Sequence, residues 1–256
     1  MCARGPVPEV DGVAALQALG ETYRAVTRTV KGLATGGFSL PTRCEGWTVR
    51  DLLFHLLLDP QRALVALATP TTEPPTTDWV AYWRGYPPGT EDAQRHAAFV
   101  RRASAAYADP FVLAGQWEET SEAALRAAAT AGLADWAGSQ LLARGARQRG
   151  AEVIKPAGGR VRTQGWVIAV PDLLATLVVE ASLHQLDLTL HLDTAPAAPP
   201  AGLTMVRATL EGLLGVPPPR EWDDLTCALK GTGRMDLDGG DRVRLGALVE
   251  RFPLFG

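Results

Sequence analysis

The sequence predicts a mainly α fold, one helical bundle followed by a short helical extension, and three observations carry that expectation. Leu16, Leu19, Tyr23, Val26, Val30 and Leu33 recur at alternating steps of three and four residues. Trp47, Thr48 and Asp51 spell the start of a second helix, and positions 173, 177, 180, 184, 187 and 191 repeat the first spacing on another. Alternating threes and fours mark the seam between packed helices, whereas a half-buried strand shows a period of two.

Taken in order, the first seam predicts a long helix ending at Gly36-Gly37, where two poor helix formers release the chain into FSLPTRCEG. Thr48 is the expected N-cap of the next helix, Asp51 completes a capping box, and Trp47 is placed to staple against Leu52. That helix runs through LLFHLLLD and should kink at Pro60, whose ring removes a donor and crowds the carbonyl of Leu56. TPTTEPPTTD reads as an exposed loop, and Ala-rich composition predicts helices at about 90–107 and 118–144. In AEVIKPAGGRVRTQGWVIAV, β-branched runs around a Gly-Gly turn suggest a small hairpin. Pro171, at a plausible N1 position, opens the helix PDLLATLVVEASLHQLDLTLHL. The Ala/Pro-rich DTAPAAPPAG then divides a bundle, residues 1–195, from an extension, residues 196–256, with short helices near 203–214 and 241–251 around a PPPR break. No internal repeat is evident.

With 256 residues, 46% of them hydrophobic, the chain can bury a sizeable core. The formal net charge is -3 and no block of Lys or Arg would track a phosphate backbone, which argues against nucleic acid as a partner. Cys2, Cys44 and Cys227 form no C-x-x-C motif and are odd in number, which fits a reducing compartment. The start, MCARGPVPEV, lacks the pattern of a secretory signal, and no stretch stays apolar for the roughly 18 residues a membrane span needs. The expectation is a cytoplasmic protein with no membrane partner, a monomer or homodimer.

Chemistry enters through the second seam, which begins with Leu173 and Leu177 and turns ionisable at Glu180, His184, Asp187 and His191. At about 100° per residue these four fall within roughly 60° of arc, while Leu183, Leu186, Leu188 and Leu190 take the other faces. The competing reading is the solvated side of an amphipathic helix; apolar residues on nearly every other face speak against it. A buried line of ionisable groups needs compensation from one another, from water or from a cation. Glu-x-x-x-His offers a carboxylate oxygen and an imidazole nitrogen to one ion, and His55 on the well-capped second helix is the candidate third ligand, with Asp51 and Asp59 as acceptors that could orient its ring. His96, among charged neighbours, reads as a surface residue, and His191 as a pocket residue or cap. Mixed nitrogen and oxygen donors suit a divalent metal such as Zn²⁺, without selecting it firmly over nickel, iron or manganese. Trp79, Trp83, Trp117 and Trp136 read as packing anchors, Cys44 as a small buried residue beside the pocket, and Arg43 as a possible contact for an anionic substrate.

The segments LPTRCEGWTVRDLLFHLL and VVEASLHQLDL, in that order, resemble the two signatures of the mycothiol-dependent maleylpyruvate isomerase family over roughly residues 10–195. The resemblance implies a DinB-like four-helix bundle in which His55, Glu180 and His184 take the places of the metal ligands, with solvent or the thiol of mycothiol completing the shell. It also implies that Arg234, in KGTGRMDL, is the extension's arginine, suited to gripping a substrate carboxylate bidentately. The expected partners are then a low-molecular-weight thiol and a small electrophilic, maleylpyruvate-like substrate. The expected activity is isomerisation or thiol S-transfer, with Asp187 a candidate to move the proton. Two competing readings share the same ligands: a metal-dependent hydrolase, and a non-catalytic metal-binding regulatory module.

Overall fold

The computed structural model describes residues 7–87, 89–131 and 159–255. Among them are eight α-helices and one two-stranded sheet. Helix α1, Gly12–Lys31, starts where Asp11 accepts the N–H groups of Val13 and Ala14. It ends at Gly32, short of the Gly36-Gly37 pair, which sits instead in a 3₁₀ turn, Thr35–Ser39. Gly32 already weakens the helix, and burial of Phe38 draws the chain into the tighter turn.

Helix α2, Val49–Leu67, opens on the expected capping box: the Thr48 N–H donates to Asp51 Oδ2 at 2.9 Å, and the Asp51 N–H donates to Thr48 Oγ1 at 3.3 Å. Pro60 lies inside this helix without ending it. Helix α3 spans Glu91–Ser104, and α4 spans Pro110–Ala131. Its start is eight residues earlier than composition suggested, because Pro110 pre-sets the first helical turn and Asp109 accepts the Phe111 N–H. The predicted continuation to 144 lies outside the described residues.

Strands β1, Arg160–Thr163, and β2, Trp166–Ala169, pair antiparallel. They turn at Gln164-Gly165, whose φ angles of 49° and 82° are those of a type I′ hairpin; the predicted segment up to Gly158, with its Gly-Gly turn, lies outside the described residues. Helix α5, Val170–Leu188, follows directly with Pro171 in its first turn. The loop after it carries the expected linker, and the extension holds α6, Pro200–Leu214, α7, Asp224–Gly231, and α8, Gly239–Leu245. Helix α7, missed in the sequence, is capped by Asp223, which accepts the Thr226 N–H.

Helices α1, α2, α4 and α5 form the four-helix bundle, with α1 against α5 and α2 against α4 as its main pairs. Trp117 is fully buried at their centre, donating its indole N–H to Thr27. The extension is packed onto this bundle. Gly202 lets α6 approach α5 so closely that any side chain there would strike Ser182 and Thr22. At the chain end, Arg251 donates to the carbonyls of Leu213 and Leu214, and Phe255 stacks on Trp83 with centroids 4.5 Å apart. No helix among the described residues is long and apolar enough to cross a membrane.

Because the capping box sets the register of α2, Thr48→Ala is expected to lower unfolding stability by about 1 kcal/mol in a urea titration while the slope stays unchanged.

Candidate metal centre

Two turns into α2 from its cap, His55 faces Glu180 and His184, one turn apart on α5. His55 Nε2 lies 3.1 Å from Glu180 Oε1 and 3.1 Å from His184 Nε2, and His184 Nε2 lies 3.3 Å from Glu180 Oε1. Donors about 2.1 Å from a tetrahedral cation stand about 3.4 Å apart, so this triangle is close to the size a metal requires. All three side chains are only partly exposed, at 12%, 24% and 13%.

The neighbouring bonds bear on whether the ring nitrogens can act as ligands. His184 Nδ1 lies 3.0 Å from Asp187 Oδ2; a carboxylate accepts, so the proton belongs on Nδ1 and the Nε2 lone pair is left toward the triangle. Asp187 is itself held by Arg234, whose Nε donates to Oδ1 at 2.8 Å and Nη2 to Oδ2 at 2.7 Å. On α2, His55 Nδ1 lies 3.1 Å from His96 Nε2; a proton on His55 Nδ1 directs the second lone pair inward. These residues therefore fit a divalent cation. A second donor set, Cys44, His184 Nδ1 and Asp187, also converges. It fits less well, because Asp187 Oδ2 already receives the Arg234 guanidinium and an added cation would face that positive charge.

Burial disfavours charge on both Glu180 and His184, yet their mutual attraction prevails. The His184 charge and the bonds from both histidines hold Glu180 well below its ordinary value of 4.5. Against the same desolvation, Glu180 together with bonds to Asp187 and Cys44 holds His184 well above its ordinary 6.5. Asp187, despite burial, is lowered by His184 and Arg234. Asp59 moves the other way, raised to about 6 by burial and by the nearby charge of Glu180.

Several expectations need correction. His96 is not a surface residue: it is half-buried against His55 on α3, in line with the buried Val100 and Ser104 one and two turns on. His96, Val100 and Ser104 form an i, i+4, i+8 stripe on the inner face of α3, while the charged neighbours of His96 take the outer face. Neither predicted acceptor orients His55. Asp51 is taken by its cap and by Ser104, and Asp59 Oδ1 pairs with Arg62 at 3.3 Å. Arg234, expected to grip a substrate, and Asp187, expected to move a proton, are brought together: Arg234 Nε and Nη2 donate to the two oxygens of the Asp187 carboxylate. Arg43 donates to the Arg234 carbonyl. His191 is exposed beyond the end of α5. Trp79 and Trp117 are packing anchors, Trp83 also lines the cavity, and Trp136 lies outside the described residues.

The triangle forms part of the lining of a cavity of about 760 Å³, within the usual range for small-molecule sites. Trp47, Tyr82, Trp83, Tyr86 and Phe255 form its aromatic walls, and Phe255 and Arg234 reach it from the extension. A family model described as the mycothiol maleylpyruvate isomerase N-terminal domain matches residues 19–189, a span that contains every member of the triangle. No curated protein and no solved structure matches the chain.

Two outcomes are expected. His96→Ala should weaken divalent-metal affinity about 10- to 100-fold in a chelator competition while the fold is retained. In the chelator-treated protein the Glu180–His184 attraction stabilises fully between the ordinary values, pH 4.5 to 6.5, and fades as pH rises toward the elevated His184 value. The thermal midpoint should accordingly fall more steeply from pH 6.5 to 9 in the wild-type chain than in Glu180→Gln.

Proposed function

The chain belongs to the mycothiol maleylpyruvate isomerase N-terminal domain family, and from that premise we propose that it is a metal-dependent enzyme using mycothiol as co-substrate on a small electrophile, either as an isomerase or as a thiol S-transferase. The observation that carries this reading is the triangle of His55 Nε2, Glu180 Oε1 and His184 Nε2 facing a cavity large enough for a thiol and a second small molecule.

In this reading His55, Glu180 and His184 hold one divalent cation, and the mixed nitrogen and oxygen donors favour zinc. When bound, such a cation would stabilise the thiolate of a thiol whose pKa is otherwise near 8.5, and so supply a nucleophile at neutral pH. The protein's own Cys44 is not that nucleophile: its Sγ lies 3.9 Å from His184 Nδ1, on the side of the ring away from the triangle. Asp187 keeps the His184 proton on Nδ1, and Arg234 keeps Asp187 ionised and fixed, so both act as positioning residues. His96 does the same for His55. The aromatic walls orient the electrophile and exclude water. With a cis-alkene conjugated to a carbonyl, sulfur bonds to one alkene carbon while the π pair moves to the carbonyl oxygen. The C–C bond turns, and return of the pair expels the thiolate and leaves the trans-alkene. With an electrophile that bears a leaving group, the S–C bond stays and the group departs with its pair. We assign residues 1–195 to the metal-binding bundle and 196–256 to an extension that completes the cavity.

The test is thiol dependence with the purified, metal-loaded protein. Turnover should require mycothiol and should fall at least about 100-fold in Glu180→Gln, with metal content reduced in parallel. Full turnover without any thiol would point to hydrolysis on the same ligands.

A further inference from the structure

Building on the thiol reading above, we infer that the electrophile this site takes is uncharged, in contrast to the dicarboxylate that the family description suggests. The first ground is the fate of the cations. Apart from the histidines of the metal centre, the cations among the described residues lining the cavity are Arg62 and Arg234, against Glu45, Asp59, Asp92 and Glu180. Each arginine is already engaged by an internal carboxylate, Arg62 by Asp59 at 3.3 Å and Arg234 by both oxygens of Asp187. Breaking the Arg234 pair to receive a substrate carboxylate would cost Asp187, 1% exposed, its bidentate partner, leaving His184 at 3.0 Å and Arg43 at 3.7 Å to face the buried charge. At the triangle, Glu180 and a thiolate together already balance a divalent charge. A dianion entering this cavity meets no described positive charge that is not already matched.

The second ground is what the walls do offer. Five aromatic side chains among the described residues, Trp47, Tyr82, Trp83, Tyr86 and Phe255, line the cavity. Among them Trp83 stacks on Phe255, and Tyr86 lies 5.0 Å from Tyr82. Tyr82 donates its hydroxyl to Gln164 and accepts one from Tyr86, so these two phenols are turned toward one another and toward the hairpin. The wall is therefore aromatic and uncharged, a lining suited to a planar uncharged molecule.

The experiment compares dimethyl maleate with maleylpyruvate, cis-alkenes without and with charge. Each initial isomerisation rate with metal-loaded protein and mycothiol is divided by the rate with mycothiol alone, which removes the difference in intrinsic reactivity. In parallel, tryptophan fluorescence follows binding of the unreactive pair dimethyl succinate and succinate. The inference requires at least about tenfold preference for the ester in both measurements. Equal or reversed preference overturns it while leaving thiol-dependent chemistry intact. No turnover of either alkene would instead count against the thiol reading, and the succinate pair would still decide the question of charge. Tyr86→Arg, at a partly exposed wall position, adds an unmatched cation and should shift the preference toward the dianion by about tenfold. A folded Tyr86→Arg protein with unchanged preference would contradict the inference.

Discussion

His55 Nε2, Glu180 Oε1 and His184 Nε2 are pressed to within 3.1 to 3.3 Å of one another, an arrangement that requires positive charge among them, whether a proton on His184 or a bound cation. The rest of the structure can be understood as what holds that convergence in place. The Thr48–Asp51 box sets the register of α2 and so the direction of His55. The i, i+4 spacing on α5 puts Glu180 and His184 on one face, and the surrounding leucines keep that face inside the bundle. Beyond the triangle, His96, Asp187 and Arg234 form an outer ring of partners that fixes the rings of the two histidines.

That outer ring ties the extension to the chemistry. Arg234 crosses from the segment after α7 to clamp Asp187, and Arg43 from the loop before α2 donates to the Arg234 carbonyl. The connection runs from tail to bundle to ligand, so a change in the extension reaches His184 without touching it. The same bonds neutralise the guanidinium. Positioning of a metal ligand and recognition of an anionic substrate compete for one arginine, and here a buried carboxylate occupies it.

What could be read from the residues was local. Seam periodicity disclosed α1 and α5, the capping box disclosed the start of α2, and the Glu180/His184 spacing disclosed one face of the candidate site. His55 followed because a register fixed by a cap says which face a residue takes. The choices settled by tertiary packing were not legible. Asp51 and Asp59 were plausible partners for His55 by spacing, but a cap and an arginine claim them, and His96 arrives from another helix. Arg234 was visible as a cation and hidden as a clamp, since no local pattern relates it to Asp187, 47 residues earlier. Helix α7 escaped notice because eight residues hold too few turns to show a period.

The most direct measurement is anomalous diffraction from crystals of the full chain grown with zinc. A single peak about 2.1 Å from His55 Nε2, Glu180 Oε1 and His184 Nε2 is the predicted result. A peak lodged instead between Cys44, His184 Nδ1 and Asp187, or no peak at either set, would contradict the account.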